Sequence, residues 1–402
     1  MSPMADQSSP RPIKAERIAG FGTTVFSVWT RLAQQHNAIN LGQGFPNFDP
    51  PAFVMEAARQ TLEGYQQYAP LGGMPRLRQV LAQQAKKDWG RDVNANTEIT
   101  VTIGATEGIY ATIQALINPG DEVILIEPFY DSYPASITMA GGVPRYVPLR
   151  PTEDKGWSLD LDELRALITP KTRMLVLNTP HNPTGKCFTR QELQALADIC
   201  IEHDLLVLSD EVYDKLVFEG ATHIPIATLD GMWERTVTLS SAGKTFSVTG
   251  WKIGWAIASP ALTDAIQMAH QWIPFCGITP LQLAVAEAIE ASQTNGYYDE
   301  LRQLYQGKRD QLVAILREVG LDPYVPEGTY FVIGNTEKLD FDNDEAACQY
   351  LTEHVGVAAI PPSHFYSDEH KHLAKHFLRF AFCKDDETIK QSAERLRAKL
   401  TT

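Results

Sequence analysis

The sequence predicts an α/β fold with a mostly parallel sheet, followed by a smaller α+β domain. Up to about Ala291, short apolar runs rich in β-formers alternate with longer helical patterns, which is typical of α/β domains. Beyond that point, a long helical segment is followed by short strands and helices. The chain of 402 residues is also longer than one core usually serves, which predicts two domains.

The spacing of the apolar residues along the chain predicts the strands and helices. In the first region the predicted strands are Ile99–Ile103, Glu122–Ile126, Arg173–Leu177, Leu205–Ser209, Val237–Ser240 and Trp255–Ala258. The predicted helices between them are Glu107–Ile117, Leu161–Ile168 and Arg190–His203. In the second region we expect helices over Tyr297–Val319, Glu345–His354 and Glu387–Leu400, and strands over Tyr330–Ile333, Val357–Ile360 and Phe377–Phe382.

Composition excludes several classes of protein. The formal net charge of -14 argues against nucleic acid or an anionic membrane as a partner. The five cysteines are scattered and never in C-x-x-C spacing, which predicts reduced thiols, no disulfide framework, no metal site and a cytoplasmic location. No apolar stretch has membrane-spanning length, and the segment Met1–Arg17 has no apolar core of a signal peptide and is expected to be frayed.

The segment Ser240–Trp255 contains two lysines that suggest chemistry. Lys244 follows three small residues, which leave room for a planar ring, and Lys252 comes shortly after. A lysine becomes nucleophilic toward aldehydes when burial or a nearby cation lowers its pKa. The pattern therefore fits a Schiff-base lysine for pyridoxal phosphate. A glycine- and serine-rich surface loop with two solvated lysines is the competing interpretation.

The turn Gly104–Gly108 follows a predicted strand and opens a helical segment. Its small residues leave backbone N–H groups free to face an anion at the positive end of the helix dipole. A tight strand-to-helix turn without a ligand fits the same residues. Because the pattern G-x-G-x-x-G is missing, the turn gives little support to a nicotinamide-dependent oxidoreductase.

Further candidates lie at strand ends, where ligands collect in open α/β sheets. Asp210 ends an apolar strand, and a buried carboxylate needs a cap, an ion pair or a ligand. Asn182 lies in a turn, where asparagine also caps its own backbone. Tyr130 fits either a stacking ring or a core aromatic cluster. Arg379, on an apolar strand of the second region, either faces outward or receives a carboxylate.

Five motifs occur together in one order along the chain. They are Gly42–Pro46, Asn178–Gly185, Ser209–Tyr213, Ser241–Lys244 and Leu378–Phe380. In order and approximate spacing the chain resembles the class I aminotransferases, particularly the kynurenine, glutamine and methionine aminotransferases, from about Gly22 to Leu396. The resemblance implies pyridoxal-phosphate fold type I. It places a large cofactor-binding domain at residues 51–290 and a small domain at residues 291–402, which residues 1–50 complete.

The resemblance also implies a role for each candidate residue, with pyridoxal phosphate as cofactor. Lys244 carries the cofactor and acts as base, Asp210 keeps the ring nitrogen protonated, and Tyr213 bonds the phenolic oxygen. The implied cofactor-binding residues are Gly104, Ala105, Thr106, Tyr130, Asn182, Asp210, Tyr213, Ser241, Lys244, Lys252 and Tyr68 of the partner subunit. The implied substrate-binding residues are Gly44, Asn182, Arg379, Phe26 and Phe275.

The expected reaction is a ping-pong transamination between an L-amino acid and a 2-oxo acid in a homodimer. Relatives that prefer acidic donors often supply a second arginine, whereas the corresponding stretch Gln271–Pro280 has no Lys or Arg and offers Trp272 and Phe275. The expected donors are therefore methionine, glutamine, phenylalanine, tyrosine or kynurenine. A cysteine-conjugate β-lyase would use the same site. A non-catalytic regulator would normally carry a DNA-binding extension, which we do not expect before Gly20.

Overall fold

The computed structural model describes residues 13–400. Residues 1–12, most of the segment expected to be frayed, and residues 401–402 lie outside the described part. The helices are α1 (Glu16–Ala19), α2 (Val25–Gln35), α3 (Ala52–Leu62), α4 (Pro75–Trp89), α5 (Gly104–Leu116), α6 (Ser132–Met139), α7 (Leu161–Ala166), α8 (Arg190–Glu202), α9 (Ala242–Thr245), α10 (Pro260–His270), α11 (Thr279–Ser292), α12 (Tyr297–Glu318), α13 (Asp344–Tyr350) and α14 (Asp386–Leu400). The strands are β1 (Ile39–Asn40), β2 (Ile99–Ile103), β3 (Glu122–Glu127), β4 (Val143–Pro151), β5 (Trp157–Leu159), β6 (Thr172–Asn178), β7 (Leu206–Asp210), β8 (Thr236–Ser241), β9 (Ile253–Ile257), β10 (Asp322–Tyr324), β11 (Phe331–Asn335), β12 (Val357–Ala358) and β13 (Phe377–Ala381).

An 8-stranded sheet runs in the order β2-β9-β8-β7-β6-β3-β4-β5. The pairs from β8 through β7, β6 and β3 to β4 are parallel, whereas β9 is antiparallel to both of its neighbours. It follows that β2 is parallel to β8. The carboxyl ends of β2, β3, β6, β7 and β8 therefore share one edge with the amino end of β9. The predicted α/β fold with a mostly parallel sheet is confirmed.

Side chains of the parallel strands alternate between the two faces of the sheet, and helices cover both faces. Met174 and Val176 of β6 pack in one apolar cluster with α5, whereas Leu175 and Leu177 pack in another with α8. The helical period over α8 predicts its buried face correctly, since the buried residues include Leu193, Leu196, Ala197 and Cys200. A slip of one residue in β6 would exchange the two faces, so packing fixes the register.

Two smaller sheets belong mainly to the second region. The strands β10, β11 and β13 form an antiparallel sheet, and β1 pairs in parallel with β12 through Ile39 opposite Val357. The amino-terminal strand thereby lies beside the carboxyl-terminal region. The domain limits at residues 50 and 290 stay predictions.

Several elements differ from the sequence-based expectations. Helix α5 begins at Gly104, three residues before the expected start, and the strand expected from Tyr330 begins at Phe331. The strand expected over Val357–Ile360 is shorter, because Ile360 leaves β12 to bridge Arg379. Helix α13 ends early and continues as a π-helical turn. The pattern does not reveal β4, because prolines interrupt its apolar alternation.

The longest described helix, α12, has 22 residues, which is enough to cross a bilayer. Charged side chains recur along it, however, from Asp299 to Arg317. Within residues 13–400, no helix combines the length and the apolar character that a membrane span requires.

Candidate active site

The candidate residues meet at the sheet edge where β2, β3, β6, β7 and β8 end. A candidate residue ends or follows each of these strands, and β9, which runs the other way, begins directly after Lys252. The candidates that line one shared cavity are Phe26, Gly44, Gly104, Ala105, Thr106, Tyr130, Asn182, Asp210, Tyr213, Ser241, Lys244, Lys252 and Arg379. The fold thus brings together residues that lie far apart in the sequence.

Lys244 lies in the one-turn helix α9, directly after β8. Its Nζ donates a hydrogen bond to the hydroxyl of Tyr330 at 2.7 Å and to the carbonyl of Gly44 at 3.5 Å. Burial lowers the pKa of Lys244 to about 8, and the carboxylate of Asp210 opposes that shift. An amine with this pKa is partly unprotonated near neutrality, so it can act as a nucleophile or a base.

The lowered pKa of Lys244 predicts a specific pH profile for the cofactor-free protein. Labelling of Lys244 by an amine-acylating reagent should rise as the pH passes about 8, whereas solvated lysines follow a pKa of about 10.4. The unfolded chain holds more protons than the folded protein between these two values, so this residue makes folding more favourable as the pH rises through that window. Mass spectrometry of the labelled peptides measures the profile. Half-labelling of Lys244 near the solvated value would contradict it.

Asp210 ends β7 and is 4% exposed. Its Oδ2 accepts a hydrogen bond from the hydroxyl of Tyr133 at 2.7 Å, and its Oδ1 accepts one from the amide of Val212 at 3.3 Å. Burial raises the pKa of the Asp210 carboxyl, and these hydrogen bonds oppose the shift. A cation in the cavity would favour the ionised carboxylate. The arrangement therefore suits a protonated ring nitrogen.

Arg379 on β13 is buried, so the outward-facing interpretation is wrong. Its Nη2 donates to the carbonyl of Gly42 at 2.6 Å and its Nη1 to the Oδ1 of Asn182 at 3.3 Å. The rings of Phe26 and Phe331 lie 5.2 and 4.2 Å from its guanidinium carbon. Burial lowers the pKa of Arg379 to about 10, and its Nε has no hydrogen-bond partner within the described chain. A buried guanidinium that lines the cavity suits a carboxylate ligand.

The turn after β2 forms a cradle of the kind that binds anions. Gly104 has a φ of +68°, which glycine adopts without strain, and α5 begins at this residue. A Cβ on Gly104 would lie 3.1 Å from the Nζ of Lys252, so the absent side chain leaves room beside that ammonium. Thr106 and Ser241 line the same cavity. A helix N-terminus, an ammonium and two hydroxyls together suit a phosphate.

Tyr130 and Tyr213 are two aromatic residues of the cavity. Tyr130 packs edge to face on Tyr133 with ring centres 5.7 Å apart, and Tyr213 packs in the same way on Tyr330 at 5.2 Å. Burial raises the pKa of both phenols. Both hydroxyls therefore remain protonated near neutrality and can donate a hydrogen bond to a ligand.

Tyr68 and Phe275 do not join the cavity of their own chain. Tyr68 is 78% exposed, and its ring meets that of Phe275 edge to face at 5.4 Å. The neighbouring side chains of Trp272, Ile273 and Ile278 are exposed as well. Several exposed apolar side chains in one short segment favour an interaction site. The participation of Tyr68 and Phe275 in a partner's site stays a prediction.

Comparison with known proteins decides the family. The model of class I and II aminotransferases matches residues 36–396. The chain belongs to this family. It is 43% identical to a kynurenine–oxoglutarate transaminase of Dictyostelium discoideum, with 95% of each chain covered. It is similar in structure to the N-succinyldiaminopimelate aminotransferase of Mycobacterium tuberculosis, with a TM-score of 0.92, 42% identity and 96% and 99% of the chains covered. The aminotransferase also resembles YbdL from Escherichia coli, identified as a methionine aminotransferase, with a TM-score of 0.91, 39% identity and 96% and 100% coverage.

Membership establishes the class of reaction and the cofactor. The protein is an enzyme of the transferase type that acts on an amino acid and a 2-oxo acid, it has fold type I, and its cofactor is pyridoxal phosphate. The residues of this aminotransferase fit that group. The cradle at Gly104 and Lys252 suits the phosphate, the buried carboxylate of Asp210 suits the ring nitrogen, and the amine of Lys244 suits the aldehyde.

Sequence reasoning missed three residues of the site. Tyr133 bonds the carboxylate of Asp210, and Tyr330 bonds the amine of Lys244. Asn178 donates its side-chain amide to the backbone carbonyl of Asp210 at 2.8 Å and accepts the amide of Asn182 at 2.7 Å. A polar residue that ends an apolar strand could have marked Asn178, and the spacing from Tyr130 could have marked Tyr133. No local signal marks Tyr330.

Proposed function

We propose that the enzyme transfers the amino group of a neutral apolar or aromatic L-amino acid to a 2-oxo acid by a ping-pong mechanism. The donors are methionine, glutamine, phenylalanine, tyrosine or kynurenine. The names of the relatives support this group, since two of those compared act on kynurenine and methionine.

One observation carries the proposal on the donor. Among the described residues that line the cavity, the cations are Lys244, Lys252 and Arg379. Each has a role in the mechanism below, so none remains for a carboxylate on the donor's side chain. Phe26 lines the cavity close to Arg379, which favours an apolar side chain at that position.

In the proposed mechanism, Lys244 is the catalytic amine. Bound pyridoxal phosphate supplies an aldehyde that condenses with amines and a ring that takes up negative charge. Lys244 would hold the aldehyde between turnovers, and its amine, when free, would accept the proton from the Cα of the donor. The lowered pKa of Lys244 leaves that amine able to accept a proton near neutral pH.

The donor is held by its α-carboxylate. Arg379 offers its guanidinium and Asn182 its side-chain amide, and Gly44 lies beside them in the cavity. A guanidinium that is already fixed by the Gly42 carbonyl loses little freedom on binding the carboxylate. These contacts fix the direction of the Cα–H bond relative to Lys244.

In the same proposal the cofactor would be held at four points. Asp210 would keep the ring nitrogen protonated, and Tyr213 and Asn182 would donate to the phenolic oxygen. Tyr130 would stack on the ring. The phosphate-binding residues are Gly104, Ala105, Thr106, Ser241, Lys252 and Tyr68 of the partner subunit.

We also propose a homodimer in which the exposed apolar surface around Trp272 is covered by a second copy. Tyr68 and Phe275 lie on this surface and outside their own cavity, which agrees with a role at the partner's site. A cytoplasmic location fits the cysteines, since all five are free thiols.

The choice of donor predicts a large difference in activity. A distal carboxylate buried without a cation should cost about 3 to 5 kcal/mol, which lowers kcat/KM by roughly a hundredfold to a few thousandfold. Methionine, glutamine, phenylalanine, tyrosine or kynurenine should therefore react well and aspartate poorly. A panel of donors assayed with one fixed 2-oxo acid measures these kcat/KM values. Aspartate as the best donor would contradict the proposal.

The same assays separate transamination from β-elimination. With a cysteine conjugate as substrate, a β-lyase releases a thiol, pyruvate and ammonia, whereas a transaminase forms an oxo acid and a new amino acid. We expect the second set of products to predominate.

A further inference from the structure

The segment Gly42–Phe45, here called the strap, passes along the cavity with carbonyls that face in alternating directions. The carbonyl of Gly42 accepts a hydrogen bond from Arg379 at 2.6 Å. The carbonyl of Gly44 accepts from the hydroxyl of Tyr330 at 2.5 Å and from Lys244 at 3.5 Å. The carbonyls of Gly42 and Gly44 thus orient Arg379 and Lys244, two of the three cations of the site.

The intervening carbonyls are held by Lys384. Its Nζ donates to the carbonyl of Gln43 at 2.9 Å and to that of Phe45 at 2.8 Å, and it lies 5.0 Å from the centre of the Phe45 ring. Lys384 lies between β13 and α14, is 3% exposed, and is not among the described residues that line the cavity. It therefore holds the strap from the side opposite to the site.

Lys384 is a buried cation without a matching anion. Within residues 13–400, no carboxylate lies within 4 Å of its ammonium, and the adjacent Asp385 bonds Asn47 and Thr388 instead. A buried ammonium that makes no ion pair destabilises a fold unless other groups compensate for lost water. Here the compensation comes from the strap, through two charge-assisted hydrogen bonds to carbonyls.

The strap has little freedom to compensate for the loss of Lys384. A Cβ on Gly44 would approach the Phe331 ring to 2.5 Å, so the strap packs tightly against β11 at this point. The amides of Gly42 and Gln43 both donate to the Oδ1 of Asn40, at 2.9 and 3.2 Å. Without the ammonium, the carbonyls of Gln43 and Phe45 would lose their hydrogen-bond donor, and the strap would have to turn to find another one.

We propose that Lys384 is a positioning residue for the binding of the substrate carboxylate. Through the carbonyls of Gln43 and Phe45 it fixes the orientation of the strap, and through Gly42 and Gly44 the strap orients Arg379 and Lys244. The inference rests on the proposed function insofar as Arg379 receives the carboxylate. Lys384 itself touches neither substrate nor cofactor.

The test compares Lys384→Met with Lys390→Met in the holoenzyme. Methionine matches the length of lysine without its charge or donors, and Lys390 is an exposed lysine in α14. We expect Lys384→Met to weaken binding of phenylpropionate, which has the carboxylate of phenylalanine without its amine, by about tenfold or more, since it removes two hydrogen bonds to a charged group. The KM for the amino donor should rise by a similar factor, with a smaller change in kcat. Lys390→Met should change neither.

A second measurement uses no substrate. It therefore tests the role of Lys384 in holding the strap even if the proposed function is wrong. Hydrogen exchange of the peptide that contains residues 41–47 should be faster in Lys384→Met than in Lys390→Met, with cofactor retention unchanged. If Lys384→Met does not fold, Lys384→Arg replaces it, because a guanidinium keeps the charge but cannot place one nitrogen between both carbonyls. A folded variant with unaltered phenylpropionate binding and unaltered exchange over the strap overturns the proposal. A Lys384→Met variant whose only change is a lower thermal midpoint also overturns the proposal.

Discussion

Lys244→Ala is expected to lower turnover by at least about 10³-fold while the protein remains folded and still binds pyridoxal phosphate. The variant lacks the amine that the mechanism uses as base, and alanine is a good residue for the one-turn helix α9. The cradle and Asp210 are unchanged, so binding of the cofactor is retained. Single-turnover mixing with an amino donor, followed by the absorption of the bound cofactor, measures the loss.

Two other lysines provide matched controls for Lys244. Lys390→Ala changes an exposed residue of α14 and should leave the rate unaltered. Lys252→Ala removes the ammonium beside Gly104 and should weaken retention of the cofactor more than it lowers the rate of the saturated enzyme. If Lys244→Ala kept the rate of the unaltered protein, the assignment of the base would be wrong.

Asp210→Ala is expected to lower the rate by at least about 10²-fold and to weaken retention of the cofactor. The substitution removes the buried carboxylate, so nothing in the described cavity keeps the ring nitrogen protonated, and the hydroxyl of Tyr133 loses its acceptor. Asp210→Glu keeps a carboxylate and should retain part of the activity. Dialysis against cofactor-free buffer measures retention, and single-turnover kinetics measure the rate.

Folding must be compared in the same experiment. Asp264→Ala, at an exposed position of α10, is the control for loss of an aspartate. Asp210→Ala should lose much of its activity with little fall in its thermal midpoint. The substitution removes the free-energy cost of burying a carboxylate, which offsets the lost hydrogen bonds. Unchanged turnover in this variant would show that Asp210 is only structural.

The sequence predicts the site best where one local rule applies. Asp210 and the Gly104 turn follow apolar strands, and the rule that ligands collect at strand ends holds for both. The helical period of α8 likewise predicts the buried face that covers the sheet. Each of these predictions depends on a few neighbouring residues and one periodicity.

Contacts between distant segments are the part that could not be predicted. Tyr330 reaches Lys244 from the residue before β11, and Lys384 reaches the strap across more than 300 positions of sequence. No local sequence pattern marks these two residues, because a tyrosine next to a strand and a lysine just before a helix are common on protein surfaces. Arg379 shows the same limit, since only the packing of β13 decides that it faces inward.

Two other strands are not predicted, for a different reason. β1 has only two residues, which is too few for any alternation to be visible. β4 forms a strand despite its prolines because it pairs with the edge of β3 that β6 leaves open. Tertiary pairing therefore decides these elements, and intrinsic propensity does not.

Reductive trapping tests the account most directly. Borohydride treatment of the holoenzyme, followed by proteolysis and mass spectrometry, identifies the residue to which the cofactor is bound. We expect a phosphopyridoxyl group on Lys244, a lysine that lines the cavity and whose pKa is lowered by burial. A phosphopyridoxyl group on Lys252 would contradict it.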